Sequence, residues 1–120
     1  MTTQVDFIEK LYTSNTNYLY RLMTGTYKIA ELQNVNYRQL VETLGPPSIA
    51  EETGDGKSFV QWVLNFNENI YTIYDYKTYD EDYTLNELTR WSIGGIGGST
   101  LFTQQLKAEF KQNNITAKII

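Results

Sequence analysis

The 120-residue chain contains no cysteine and no histidine. Without cysteine there is no disulfide and no thiolate nucleophile, and without either residue the usual structural zinc site cannot be built. The missing histidine also removes the side chain that most often acts as a general base near neutral pH. No apolar run approaches the ~20 residues of a membrane-spanning helix. Proline is scarce, with two residues side by side at Pro46 and Pro47. The opening residues, Met1-Thr2-Thr3-Gln4-Val5-Asp6, have the pattern of neither a signal peptide nor a transit peptide. These absences predict a soluble intracellular protein with no membrane partner, no metal and no cofactor.

What is present suits one packed domain over residues 1–120. The chain is 41% hydrophobic and 14% aromatic, enough for a single core. Ten tyrosines outnumber five phenylalanines. Tyrosine half-buries well while keeping a polar tip, which serves sheet surfaces and binding faces alike. The net charge is −4. Phosphate neutralisation needs clustered cations, so direct nucleic-acid binding is not expected. An acidic chain is better matched to a basic protein surface.

Periodicity predicts an amphipathic helix over residues 3–13, from Val5, Ile8, Leu11 and Tyr12. Ser14-Asn15-Thr16-Asn17 can cap a following segment, and residues 17–23 fit either helix or strand. A short strand is expected over residues 26–32. Asn36 reads as the N-cap of a helix that buries Tyr37, Leu40, Val41 and Leu44 and stops at Gly45-Pro46-Pro47. Residues 58–66 and 70–77 alternate as strands and form a hairpin around Asn67-Glu68-Asn69. A third strand is predicted over residues 88–93, ending at Gly94-Gly95. Ser99 then caps a last helix over residues 100–112, with Phe102, Leu106 and Phe110 at one-turn spacing. Residues 115–120 can add an edge strand. The predicted fold class is α+β, a small antiparallel meander of three or more strands packed on one face by helices. The helix-Gly-Pro-loop-hairpin order is similar in architecture to β-lactamase-inhibitor-like and outer-membrane-assembly lipoprotein domains.

Several residues can carry binding chemistry. Gly94, Gly95, Gly97, Gly98 and Ser99 lie between a predicted strand and a predicted helix, where backbone N–H groups can turn toward an anion. The competing reading is a turn with a helix cap, since no Walker or dinucleotide pattern is present. Lys57, Lys77 and Arg90 lie at or near strand ends and can meet a phosphate or simply the neighbouring carboxylates. Asp55, Asp75, Asp80, Glu81 and Asp82 offer carboxylates, but they lack the ligand order of a calcium loop and read as solvated acid. Among the aromatics, Trp62 belongs to the core. Tyr74 and Tyr76 share a sheet face, Tyr71 and Tyr79 are the freer rings, and Trp91 can stack a base. No catalytic set emerges.

With those residues identified, a longer pattern stands out. It runs through Tyr37-Arg38-Gln39-Leu40-Val41, Leu44-Gly45-Pro46-Pro47, Gly54-Asp55-Gly56-Lys57, Trp62, Ile73-Tyr74-Asp75-Tyr76-Lys77 and Trp91-Ser92-Ile93-Gly94-Gly95. This pattern resembles a family of small, mostly uncharacterised accessory proteins of bacteriophages and other large DNA viruses. In similar proteins the last motif carries histidine where Ser92 stands here. The resemblance implies a viral accessory protein in the host cytoplasm. It leads to the expectation of a non-enzymatic, anti-CRISPR-like inhibitor of a bacterial defence system that binds a host effector protein. The rival expectation is a sponge for a cyclic-nucleotide or ADP-ribose-derived messenger, with Lys57, Lys77, Arg90 and the glycine segment on the phosphates. A small nucleotide hydrolase and an oligomeric virion component are further alternatives.

Overall fold

The computed structural model describes residues 8–50, 60–75, 88–97 and 100–120. Among these the fold is α+β, a six-stranded antiparallel sheet with three helices. Elements follow in the order β1 (Glu9–Lys10), α1 (Thr16–Leu22), β2 (Tyr27–Gln33), α2 (Tyr37–Leu44), β3 (Gln61–Phe66), β4 (Asn69–Tyr74), β5 (Arg90–Gly95), α3 (Thr100–Gln112) and β6 (Lys118–Ile119). The spatial order is β1-β3-β4-β5-β2-β6. The β3-β4-β5 meander forms the centre, and β2 returns to lie beside β5.

Local chemistry explains most of these elements. The α2 helix opens on a reciprocal capping box: Gln39 N–H donates to Asn36 Oδ1 at 2.8 Å, and Asn36 N–H donates to Gln39 Oε1 at 2.9 Å. It closes at Gly45, whose φ of +84° strongly favours glycine. The β3–β4 hairpin turns on Asn67 and Glu68, both at positive φ (51° and 66°), the geometry of a type I′ turn. Asn15 caps α1 by accepting from Tyr18 N–H at 3.3 Å.

The main core lies on one face of the sheet. Trp62, Leu64 and Phe66 of β3, Tyr71 and Ile73 of β4, Trp91 and Ile93 of β5, and Leu32 of β2 pack there. Leu40 and Leu44 of α2 and Phe102, Leu106 and Phe110 of α3 cover them. The two tryptophans meet edge to face, 5.7 Å between ring centroids. Each indole also donates outward from this pair. Trp62 Nε1–H reaches Gly45 O at 2.9 Å, and Trp91 Nε1–H reaches Val35 O at 2.7 Å. Val35 precedes the N-cap of α2 and Gly45 is its C-cap, so the two indoles hold the helix at both ends.

Two sequence expectations are corrected. Residues 8–13 are not helical. Glu9 and Lys10 pair with Asn65 and Leu64, and Leu11 N–H donates to Val63 O at 2.8 Å. The apolar spacing fits a helix, but β3 needs partners along its outer edge, and pairing overrides a weak local preference. Residues 3–7 lie outside the described residues. Nor do the helices share one face. Leu19 and Met23, from α1 and its C-cap, pack with Ile49 and Val63 in a separate cluster on the opposite face. The unbroken run Trp62-Val63-Leu64, buried throughout, is the signature of a strand covered on both sides. Among the described residues, no helix is long and apolar enough to cross a membrane.

Replacing either indole by phenylalanine should leave a carbonyl without its donor. The Val35 carbonyl is the more deeply buried of the two. Trp91→Phe is therefore expected to cost about 2–4 kcal/mol, and Trp62→Phe less, in urea denaturation followed by circular dichroism.

Candidate partner-binding surface

The residues singled out in the sequence divide into three groups. Lys57, Tyr76, Lys77, Tyr79, Gly98 and Ser99 lie outside the described residues, as do Asp55, Asp80, Glu81 and Asp82. A second group is built into the core. Tyr71 is not a free ring, because it is buried and stacks on Phe102 at 3.9 Å with the planes 3° apart. Trp91 is 1% exposed, so no base can stack on it. Asp75 is not solvated acid. It is fully buried at the end of β4, where Oδ1 accepts from Val60 N–H at 3.0 Å.

Gly94 and Gly95 belong to this second group and not to an anion nest. Both lie within β5, paired with Lys28 and Tyr27 on one side, and Gly94 also with Thr72 on the other. They are glycine for lack of room. A Cβ on Gly94 would overlap Thr72 Oγ1, and one on Gly95 would sit 2.9 Å from the Tyr71 ring and 3.1 Å from Ile29. Their N–H groups serve a strand ladder, so they do not turn together toward an anion.

The third group is at the surface. Gly97 follows β5 with φ +74°, and its N–H donates to Tyr27 Oη at 2.9 Å. That bond ties the turn after β5 to the start of β2. Ile96, inside the turn, packs its Cδ1 toward Gly25 and is otherwise 69% exposed. Tyr27 is 56% exposed. Together they form an apolar tip at one end of the sheet. Sequence reasoning marked the glycines around Ile96 and missed Ile96 itself. The available signal was an isoleucine between two glycine pairs, in a turn too short to bury it.

Next to this tip, the outer edge of β2 is only partly covered. β6 pairs with Leu32 and Gln33, and Ile120 exchanges backbone bonds with Glu31 at 2.9 and 3.0 Å. Among the described residues no strand pairs with the outer side of residues 27–30. A groove of about 370 Å³ lies there, lined by Lys28, Ile29, Ala30, Glu31 and Ile120. A bulge between Lys28 and Ala30 interrupts the register with β5. Bulges and edge lysines are both devices that discourage unselective strand pairing.

Arg90 is committed to a polar network on the sheet face opposite the main core. Its guanidinium lies 3.1 Å from Glu31 Oε1, Lys28 Nζ lies 3.6 Å away, and Gln33 Nε2 donates to Glu31 Oε2 at 2.6 Å. The Gln33 and Arg90 hydrogen bonds, with the nearby cations, hold the Glu31 carboxyl below its usual range against the opposing effect of burial. Tyr74 and Ser92 are paired across β4 and β5 on this same face, with Glu31 beyond Ser92 on β2. Ser92 is buried. Among the described residues no three carboxylates converge to hold a metal ion. Comparison of the chain with protein-family models, with curated proteins and with solved structures finds no match.

Two predictions follow from this geometry. Gly94→Ala should destabilise the fold by about 1–3 kcal/mol through overpacking, and Thr72→Ala in the same chain should recover part of that loss in a double-mutant cycle. Because the Glu31 carboxyl is held low, its contribution to stability is complete above its unfolded value and fades as pH falls through the folded one. Glu31→Gln should therefore cost under ~1 kcal/mol at pH 7, as exposed pairs do, and the difference from wild type should shrink as pH falls below the ordinary glutamate range.

Proposed function

We propose that this chain is a non-enzymatic viral accessory protein that works in the host cytoplasm, where it inhibits an antiviral defence by covering the surface of a host effector protein. The viral setting comes from the motif resemblance in the sequence. The mode of action draws support from one observation: two large apolar side chains, Ile96 and Tyr27, stand exposed on a tip held in place by the Gly97–Tyr27 hydrogen bond. Exposed aromatic and aliphatic residues on a rigid element, beside an incompletely paired strand, are the usual makings of a protein-binding anchor.

The nucleotide-sponge alternative draws on Trp91, Gly94 and Gly95, which the fold uses internally. The Arg90 cation is already paired with Glu31. A covering function asks less of the chain. It needs a stable body and one exposed face, and its specificity comes from shape and charge at the rim.

The test is to express wild type and Ile96→Asp in a host carrying an active defence system. Wild type should restore plaque formation and co-purify with one host protein in fixed ratio. Ile96→Asp should fold with an unchanged melting temperature, yet weaken the purified complex by about 30-fold or more, the loss typical of a central anchor. Full protection by Ile96→Asp, or a nucleotide bound to the purified protein and detected by calorimetry against cyclic nucleotides and ADP-ribose derivatives, would overturn the reading.

A further inference from the structure

A second surface, separate from the Tyr27–Ile96 tip, lies where α3 meets the segment that follows it. After Gln112 the chain reverses through Asn113 and Asn114, the latter at φ +61°. Residues 115–117 then run back beside the helix toward β6. Between helix and returning chain is a groove of about 390 Å³. Ala108, Ile115 and Ala117 give it an apolar floor, and Lys107 and Lys111 stand on its rim. Gln104 and Thr116 add hydrogen-bonding groups at its margins.

Among the described residues neither lysine makes an ion pair or a side-chain hydrogen bond. Among the described residues the ion pairs are Lys28–Glu31, Arg38–Glu42 and Arg90–Glu31. The carboxylate of α3 itself, Glu109, accepts instead from Ile8 N–H and from Gln105, each at 3.2 Å. Lys107 and Lys111 are four apart, so they project from the same side of the helix about one turn apart. The local sign of charge is also inverted. Residues 100–120 hold three lysines and one glutamate, in a chain whose net charge is −4.

We infer that this groove binds an acidic peptide segment of a partner protein, seating an apolar side chain on the Ala108–Ile115–Ala117 floor while flanking carboxylates meet Lys107 and Lys111. Charge complementarity selects the acidic occupant, because two adjacent unneutralised cations repel a basic segment and gain nothing from a neutral one. Shape selects a peptide over a small molecule. Small-molecule sites enclose most of their ligand, whereas this groove is only partly enclosed, which suits a segment lying across it.

The test uses the full chain and three fluorescein-labelled ten-residue probes: alternating Glu and Leu, alternating Lys and Leu, and alternating Glu and Ser. The Glu/Leu probe is expected to bind saturably in fluorescence anisotropy, about tenfold or more tighter than the other two, and to weaken as salt is raised from 50 to 500 mM. The double substitution Lys107→Glu with Lys111→Glu lies on an exposed helix face, so the fold should survive, which circular dichroism verifies. That variant should lose the Glu/Leu probe by at least about tenfold and gain the Lys/Leu probe. Ala108→Glu, which places a charge on the floor, should abolish binding without altering either lysine. Ile96→Asp should leave the probe affinity unchanged, so this inference stands or falls apart from the function proposed above. Equal affinity for the Glu/Leu and Lys/Leu probes, indifference to the lysine substitutions, or full displacement of the Glu/Leu probe by octanoate at a comparable concentration would overturn it.

Discussion

Two indole N–H groups hold this structure in register. Trp62 and Trp91 stand on β3 and β5, on either side of β4, and meet edge to face in the centre of the core. From that shared position each donates to a backbone carbonyl at a different end of α2. A helix of eight residues has little stability of its own, because nucleation is costly and few internal bonds repay it. Here its N-terminal side is closed by the capping box and the Trp91 bond, and its C-terminal side by Gly45 and the Trp62 bond. The helix cannot slide along the sheet without breaking one of the two. Its placement then determines where the chain leaves at Gly45-Pro46. There Lys10 Nζ donates to Pro46 O at 2.8 Å, and Ser48 enters β3's margin.

That margin is closed with some economy of means. Gln61 bridges Ile49 by two backbone bonds of 2.8 and 2.9 Å. The Ser48 hydroxyl takes the Val63 N–H at 2.9 Å, Leu11 N–H takes the Val63 carbonyl, and β1 covers Leu64 and Asn65. A serine side chain thus stands in for a missing strand residue. The opposite margin is treated differently. β6 is two residues long and, with Ile120, meets β2 over residues 31–33; among the described residues no strand pairs with the outer side of the first half of β2, which carries a bulge and Lys28. Pairing this open stretch with its own copy across a twofold axis would bring the two Lys28 side chains near one another, which is unfavourable. The exposed Tyr27–Ile96 tip sits at this less covered end, so the available apolar surface and the unfinished sheet edge coincide.

The parts of the fold that were legible in the sequence are those governed by short-range chemistry. Asn36, Gly45 with Pro46-Pro47, and Asn67-Glu68-Asn69 each fix a local backbone geometry, and helix, stop and hairpin appear where those residues stand. The Phe102-Leu106-Phe110 spacing likewise marked α3. What was not legible depended on who stands opposite. Nothing near Glu9 and Lys10 says that an edge of β3 waits for them. Likewise, nothing near Gly94 says that Thr72 occupies the space a side chain would need. The glycines and Trp91 looked like binding elements because glycine and tryptophan serve close packing and ligand contact equally well. Sequence alone does not separate those uses.

The polar groups buried in the described core make the same point in chemical terms. Ser48 and Asp75 both spend hydrogen-bonding capacity on main-chain N–H groups of β3 or its approach. Thr72 fills the space above Gly94, and no buried side-chain nitrogen or oxygen among the described residues lacks a partner. Such groups stabilise the fold by leaving nothing unsatisfied. Among the side chains that the described fold leaves exposed are others of another kind: an isoleucine in the turn after β5, a tyrosine at the start of β2, and two lysines beside an apolar groove. They can bury area and complement charge, and these are the terms that determine whether one protein surface recognises another.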